Sequence, residues 1–224
     1  MAQYRKEKLE DNHYYHIYSR SIAKFVIFND EEEYARFIKI FNLYKYINFN
    51  YQYSKFIRLD EKVQWSIINN LKGDKEVLVE VIAYCVMPTH IHFILKQVAD
   101  KGISRFLGKI LNSYSRYFNL THKRIGPLWA GRFKSVLIDN DDQLLHLTRY
   151  IHLNPSSAEL VSDPSDWASS SYDDYINPFE EEITVYKKLI PMTPKAYKKF
   201  VLDQKDYQKQ LSKIKRVMID SYTG

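Results

Sequence analysis

Two histidines stand one residue apart within the sequence MPTHIHFIL, residues 87–95. The surrounding residues are apolar enough for a buried β-strand, and side chains along a strand alternate between its two faces. His90 and His92 therefore point the same way, while Ile91 points to the opposite side. Such a pair either fills space and shares hydrogen bonds or holds a metal ion, and the residues alone leave both interpretations open.

A second set of polar residues follows in the sequence QLLHLTRYIHLNP, residues 143–155. Helical periodicity directs an apolar arc toward the core, and this arc is formed by Leu144, Leu147, Thr148 and Ile151. His146, Tyr150 and Asn154 are spaced four apart beside the arc, so that Tyr150 and Asn154 project together. A phenol can act as a nucleophile, and an amide oxygen can bind a metal ion. A half-buried tyrosine and a helix-terminating asparagine before Pro155 are the structural alternatives.

The charge of the chain is unevenly distributed. The net charge is +6, yet residues 101–138 contain no Asp or Glu and carry eight cations: Lys101, Arg105, Lys109, Arg116, Lys123, Arg124, Arg132 and Lys134. Aromatic residues are interleaved with them, namely Tyr114, Tyr117, Phe118, Trp129 and Phe133. Because cations bind phosphates and rings stack on bases, this span is typical of a nucleic-acid-binding surface. A solvated basic helix face is the alternative.

Length and composition are those of a soluble protein with a hydrophobic core. At 224 residues the chain is long enough for one domain with an appendage or for two small domains. Cys85 is the single cysteine, which excludes an intrachain disulfide and favours a reducing compartment. The N-terminus is too charged for a signal peptide, and the longest apolar run, residues 81–87, is too short to span a bilayer. We expect a cytoplasmic, nucleoid-associated protein that does not enter a membrane.

The periodicity predicts strands and helices in an order that specifies the fold class. Strands are predicted at residues 13–18, 77–86, 90–96 and 133–138, and helices at about 30–44, 102–119 and 139–154. The two middle strands are joined by a short corner and must therefore be antiparallel. The economical solution is an α+β fold, a ferredoxin-like antiparallel sheet with helices packed on one face.

The remaining residues are predicted to extend this core. Residues 45–74 form an insertion, in which a short amphipathic helix is expected around residues 63–71. A C-terminal helix opens at Thr193-Pro194, and its apolar side contains Tyr197, Phe200, Val201, Tyr207, Leu211, Ile214 and Met218. We therefore expect a main domain at 1–175 and a C-terminal helical extension at 176–224, which packs on the core or on a partner.

Four blocks of sequence occur in the order and spacing of a known family. They are VMPTHIHFIL, LNSYSRYFNLTHKRIGPLWAGRFKSVLID, TRYIHLNP and WASSSYDDY. In these blocks the chain resembles the REP-associated tyrosine transposases, single-strand transposases of the tyrosine–HUH superfamily. The resemblance runs from about residue 13 to 175, which identifies residues 1–175 as an HUH transposase-like catalytic domain. It leaves out residues 45–74 and the C-terminal helix.

The resemblance implies roles for the residues singled out above. His90 and His92 would be metal ligands, Tyr150 the single nucleophile and Asn154 the residue that completes the metal site. Two imidazoles and an amide oxygen suit Mg²⁺ or Mn²⁺, and the tyrosine would cut single-stranded DNA beside a hairpin through a 5′-phosphotyrosine. Thr89 departs from the family, which usually has Asn there, but it belongs to the turn and not to the metal site.

Residues of the basic span would then select the DNA. Those predicted to bind it are Arg105, Lys109, Arg116, Lys123, Arg124, Trp129, Arg132 and Lys134. Trp129 is alternatively a core residue. Members of the family act as monomers or as homodimers, and either state is open for this chain. His146 is a candidate base one turn before Tyr150, although a solvated or core histidine is the more common role.

Two other functions stay open at this point. The first is a catalytically silent, domesticated protein that binds hairpins or single-stranded DNA. The second is a zinc hydrolase that uses His90, His92 and another ligand. The zinc hydrolase is the weaker of the two, because no acidic ligand or second Cys/His pair stands at zinc spacing.

Overall fold

The computed structural model describes residues 8–178 and 183–211. Within these residues the strands are β1 Tyr14–Arg20, β2 Val79–Met87, β3 His90–Gln97 and β4 Lys134–Ile138. The helices are α1 Glu31–Tyr44, α2 Tyr53–Phe56, α3 Glu61–Asp74, α4 Gly102–Thr121, α5 Asp141–Ser157, α6 Tyr172–Ile176 and α7 Pro194–Leu202. Residues 205–211 are also helical.

The four strands form one antiparallel sheet in the order β2-β3-β1-β4. β2 and β3 are joined by the turn at Pro88 and Thr89, and the segment through α4 brings β4 beside β1. The register places Tyr18 of β1 opposite His92 on one side and opposite Lys134 on the other. This antiparallel sheet with its helices confirms the predicted α+β class.

Helices cover both faces of the sheet. α1 and α4 bury one face, where the rings of Phe41, Phe93 and Phe106 pack edge to face. α5, α6 and α7 cover the other face, and Ile151 and Tyr172 are buried there. The helices were predicted on one face only. The second layer is required because almost every residue of β2 is buried, so that neither face can be left to solvent.

α5 begins at a side-chain cap and ends later than predicted. The side chain of Asn140 accepts a hydrogen bond from the Gln143 N–H, which satisfies one of the open donors of the first turn. The predicted end was Asn154, but the helix continues through Pro155 to Ser157. A proline in the last turn removes only one backbone hydrogen bond, and the bonds that follow it close the turn.

The insertion at residues 45–74 folds against the layer of α1 and α4. α3 contains the helix predicted at residues 63–71 and extends it at both ends. Three aromatic side chains are buried where the insertion meets α1: Phe49 lies 5.4 Å from Tyr44 and 5.2 Å from Phe56, measured between ring centroids. Aromatic packing therefore joins the insertion to the main core.

The C-terminal segment is tied to α5. The amide of Gln208 donates to the carbonyl of Tyr150 at 3.0 Å, and the ammonium of Lys209 lies 3.1 Å from the carboxylate of Glu159. Of the residues predicted on the apolar side of the C-terminal helix, Ile214 and Met218 lie outside the described residues. In residues 8–178 and 183–211, no helix has the length and apolar character needed to cross a bilayer.

Lys45, at the start of the insertion, is a lysine whose burial affects stability. Burial, with a contribution from the nearby charge of Lys72, lowers the pKa of Lys45 to about 8, whereas an unfolded lysine titrates near pH 10.4. Between these values the unfolded chain binds one more proton than the folded chain, so the contribution of Lys45 makes stability rise with pH. We expect Lys45→Met to remove this contribution. The free energy of unfolding, measured in urea between pH 7.5 and 10, should then rise less with pH than in the wild type.

Lys39, an exposed lysine of α1, provides the matched control. Lys39→Met is expected to leave the pH dependence of the urea midpoint equal to that of the wild type. The burial argument is wrong if the Lys45 and Lys39 variants behave alike.

Candidate active site

Strand β3 presents His90 and His92 on the same face of the sheet, as the alternation predicts. Their ring centroids lie 5.0 Å apart and the rings are nearly perpendicular. His92 is buried, His90 is partly buried, and Ile91 between them faces the core under α1 and α4. The pair therefore faces the layer that contains α5.

A third histidine, His16 of β1, joins this pair. Its Nε2 lies 3.0 Å from Nδ1 of His92, and the two rings stack with centroids 5.3 Å apart. His16 was not among the predicted site residues, because no other histidine stands two positions from it in the sequence. Its contact with His92 depends on the pairing of β1 with β3, which single-sequence periodicity does not predict.

Helix α5 brings Tyr150 to the same face. The centroid of its ring lies 6.1 Å from that of His92 and 6.3 Å from that of His16, and it meets both rings edge-on. Burial raises the pKa of the Tyr150 phenol, and the guanidinium of Arg20 partly opposes that shift. A strand and a helix that are distant in sequence thus place a phenol beside the imidazoles.

The hydrogen bonds of the two β3 histidines engage the same ring nitrogen in each. The hydroxyl of Thr89 lies 3.0 Å from Nδ1 of His90, and Nε2 of His16 lies within hydrogen-bond distance of Nδ1 of His92. Each ring is left with Nε2 as the nitrogen that can bind a cation, an arrangement in which the outer contact orients the ligand. Thr89, which departs from the family pattern, therefore contacts His90 through its side chain.

Burial keeps the three imidazoles neutral. It lowers the pKa of His16 and of His90 to about 4, and it lowers the pKa of His92 well below the ordinary value, with smaller contributions from neighbouring groups. The neutral imidazole has the lone pair that a metal ion requires.

Asn154 lies one helical turn beyond Tyr150 and has an unsatisfied amide. Its Nδ2 atom is buried and has no hydrogen-bond partner among the described residues. A buried polar atom without a partner is uncommon, and rotation of the amide by half a turn would put its oxygen in the same place. An amide oxygen is a ligand that hard divalent cations accept, so the side chain of Asn154 is chemically able to serve as a metal ligand.

The described residues contain no group of three or more His, Cys, Asp or Glu side chains arranged to hold a metal ion.

Arg20, the last residue of β1, is a charged neighbour that was not among the predicted site residues. It is exposed, it pairs in register with His90, and its guanidinium carbon lies 5.9 Å from the centroid of the Tyr18 ring. Its positive charge acts on His90, His92 and Tyr150. This cation is positioned to attract a phosphate to the histidine face.

The residues predicted to bind DNA fall on two sides of the molecule. Arg105, Lys109 and Arg116 lie along the outer face of α4, in the layer opposite to α5. Lys134 of β4 is exposed and lies across β1 from His92, on the histidine face. Arg132 is exposed in the loop before β4.

The loop after α4 contains the other predicted residues. Lys123 is exposed, while Arg124 donates to the Pro127 carbonyl and lies over the Phe25 ring. Trp129 is half-buried, and its indole N–H donates to the Leu111 carbonyl at 3.3 Å. The structure therefore favours the packing alternative for Trp129.

His146, the candidate base, is exposed, and its Nδ1 lies 2.7 Å from the guanidinium of Arg149. It also approaches the Phe200 ring at 5.8 Å between centroids. These contacts direct the ring toward the C-terminal segment, which favours the solvated role over that of a base for Tyr150.

Comparisons with known proteins bear on the fold and the family of the chain. No curated protein matches the chain. A solved structure of a REP-associated tyrosine transposase bound to a REP hairpin is similar, with a TM-score of 0.50 and 18% sequence identity. The alignment covers 83% of this chain and 95% of that chain, and at this identity the likeness concerns the fold.

Residues 39–154 match the profile of the family described as Transposase IS200 like. The match spans just over half of the chain and contains His90, His92, Tyr150 and Asn154. It confirms the resemblance seen in the sequence. The chain belongs to the IS200-like transposases.

Proposed function

We propose that this protein is a metal-dependent transposase that cleaves and rejoins single-stranded DNA beside hairpins through a 5′-phosphotyrosine. The observation that carries the proposal is the approach of the Tyr150 ring to His92 and His16, within a chain of the IS200-like transposase family. Neither a core tyrosine nor a structural histidine pair requires this convergence at a partly open sheet face.

The metal ion would be held by Nε2 of His90, Nε2 of His92 and the side-chain amide of Asn154. The buried, unpaired amide of Asn154 supports this assignment, as does the engagement of both Nδ1 atoms by other groups. Mg²⁺ or Mn²⁺ would polarise the scissile phosphate and stabilise the departing oxygen when bound.

Tyr150 would attack the phosphorus atom at the cleavage site. Its phenol oxygen forms a bond to phosphorus while the bond from phosphorus to the 3′ oxygen breaks, and the 3′ oxygen takes up a proton. The phenol proton passes to solvent, which reaches the half-buried ring. Since a phenolate is a better leaving group than an alkoxide, a 3′-OH can reverse the reaction and rejoin strands.

The DNA would approach along the charged side of the histidine face. Arg20 and Lys134 lie on that face, and Arg132 precedes β4. The similar solved structure contains a REP hairpin, and we propose a hairpin with flanking single strand as the substrate class here. A catalytically silent DNA-binding protein is the alternative, and it shares the salt-sensitive binding but not the covalent step.

A test of the function uses a pool of single-stranded oligonucleotides, each with an imperfect hairpin and random flanks. The protein is incubated with the pool in Mg²⁺, Mn²⁺ or EDTA, and adducts are separated under denaturing conditions. We expect a metal-dependent adduct that contains the 3′-end label, because the 5′ phosphate stays on the tyrosine while the other fragment leaves with a free 3′-OH.

Two outcomes would contradict the proposal. Binding of hairpins without any adduct, in either metal, would favour the silent DNA-binding protein. An adduct that retains the 5′-end label would mean that the tyrosine is joined to a 3′ phosphate and not to a 5′ phosphate.

His16 is expected to act by positioning His92. Its contact with Nδ1 of His92 fixes the ring orientation, and removal of such an outer partner commonly costs about 10- to 100-fold in metal affinity or activity. We therefore expect His16→Ala to raise the Mn²⁺ concentration for half-maximal adduct formation by about tenfold or more. His13→Ala, an exposed histidine beside the same strand, is the control and should leave the metal requirement unchanged.

An unchanged Mn²⁺ requirement in His16→Ala would mean that the contact does not position His92. The maximal rate at saturating Mn²⁺ is measured in the same titration. It should recover substantially, since His16 contacts a ligand and not the phosphate.

A further inference from the structure

A large cleft lies on the outer surface of the α1 and α4 layer. It has a volume of about 950 Å³ and is bounded by α4, by α1 and by residues 49–58 of the insertion. We call it the α4 cleft. None of the residues that line it belongs to the histidine and tyrosine site, and the sheet with its helical layer separates the two.

All charged residues that line the α4 cleft are positive. Its charged residues are Arg36, Arg58, Arg105, Lys109 and Arg116, and it contains no Asp or Glu. In the described part of the chain, no salt bridge involves any of these five. Burial lowers the pKa of Lys109, and the neighbouring charge of Arg105 adds a smaller shift in the same direction. Such a surface is complementary to a polyanion.

Aromatic rings are interleaved with these cations. The cleft is lined by Tyr44, Phe49, Tyr51, Tyr53 and Tyr117. The guanidinium of Arg36 lies between two of the rings, 3.9 Å from the centroid of Tyr117 and 5.1 Å from that of Tyr53. Tyr51 is 43% exposed, so that part of its side chain is accessible to a ligand.

One polar atom of the cleft is left without a partner. Nε of Arg36 is buried and has no hydrogen bond among the described residues. A buried donor without an acceptor is uncommon, and a water molecule or a ligand oxygen would satisfy it. A phosphate oxygen is such an acceptor.

We propose that the α4 cleft binds single-stranded DNA, with phosphates on its cations and a base stacked on Tyr51. Cations that follow a backbone, together with rings on which bases stack, are the two elements of single-strand binding sites. The volume is far larger than a lone phosphate ion requires and lies at the upper end of the range for ligand sites, about 300–1,000 Å³. The proposal rests on the proposed function and gives the insertion a role in holding the transposase's DNA.

A strand held in the α4 cleft cannot lie on Tyr150 with the same nucleotides. The cleft opens on the outside of the α1 and α4 layer, while Tyr150 belongs to the layer on the other face of the sheet. The bound DNA would therefore pass around an edge of the sheet, with separate segments for holding and for cutting.

The test measures affinity for a labelled dT20 oligonucleotide by fluorescence anisotropy. Arg105→Glu with Arg116→Glu, both exposed residues, is expected to weaken binding by about tenfold or more. The salt dependence should become shallower by about 0.7 in log–log slope for each phosphate that the variant no longer neutralises. The matched control is Lys188→Glu with Lys195→Glu, which makes the same charge change at exposed residues outside the cleft and should have a much smaller effect.

Stacking is tested at Tyr51. Tyr51→Ala should weaken dT20 binding by about fivefold or more, while Tyr51→Phe, which keeps the ring, should bind like the wild type. The proposal is overturned if the cleft pair and the control pair lose affinity equally, or if Tyr51→Ala binds as tightly as Tyr51→Phe. Circular dichroism of each variant confirms that the fold is kept.

The cleft and the catalytic proposal can fail separately. If the wild type binds dT20 through the cleft but forms no adduct, the catalytic proposal fails and the cleft assignment holds. If adducts form at saturating DNA and the cleft variants bind dT20 normally, the cleft assignment fails and the catalytic proposal holds.

Discussion

Tyr150→Phe is expected to form no covalent adduct with single-stranded DNA, a loss of about a thousandfold or more in rate. The substitution removes only the nucleophilic oxygen, and removing a catalytic nucleophile commonly costs this much. The ring that packs beside His92 and His16 is kept, so DNA binding and folding should be unchanged. Adduct formation is measured with the 3′-end-labelled pool under single-turnover conditions.

Tyr18 offers a matched control on the same face. Its ring centroid lies 6.1 Å from that of His92, the same distance as that of Tyr150. Tyr18→Phe should retain adduct formation. Persistence of the adduct in Tyr150→Phe and its disappearance in Tyr18→Phe would move the nucleophile from α5 to β1.

Removal of either β3 histidine is expected to be nearly as severe. His90→Ala or His92→Ala deletes a proposed ligand, and a catalytic metal ion contributes several kcal/mol to the stabilisation of charge, so the adduct should form about a thousandfold more slowly. Mn²⁺ binding, measured by calorimetry, should weaken in parallel. A loss of adduct with normal Mn²⁺ affinity would assign the histidines to another role.

His146 provides the control for these variants. It is one helical turn from Tyr150, but its described partners are Arg149 and Phe200. His146→Ala should change the adduct rate little. A hundredfold loss would instead make His146 the base that takes the phenol proton.

The sequence predicted those parts of the site that depend on local periodicity. The alternation of a strand places His90 and His92 together, and the four-residue spacing of a helix places Tyr150 and Asn154 together. The α+β class followed from the order of the elements in the same way. In both cases the relevant neighbours are close in sequence, so one chain without an alignment contains the signal.

Contacts across long stretches of sequence were not predictable. His16 meets His92 across 76 positions, through a register that strand periodicity leaves undetermined. Helices cover both faces of the sheet because of how they pack in three dimensions, whereas they were predicted on one face only. The α4 cleft exists because residues 49–58 fold back over the cations of α4, which composition alone does not indicate.

The ties between α5 and the C-terminal segment bear on stoichiometry. Gln208 and Lys209 contact the Tyr150 carbonyl and the Glu159 carboxylate of the same chain, and the Tyr150 ring lies beside His92 of that chain. A single polypeptide thus brings the phenol and the imidazoles together without residues from a second copy. Adduct formation at saturating DNA should be first order in protein. A dimer, if one forms, would bring a second DNA end into the assembly, but it would not supply a reactive side chain that the single chain lacks.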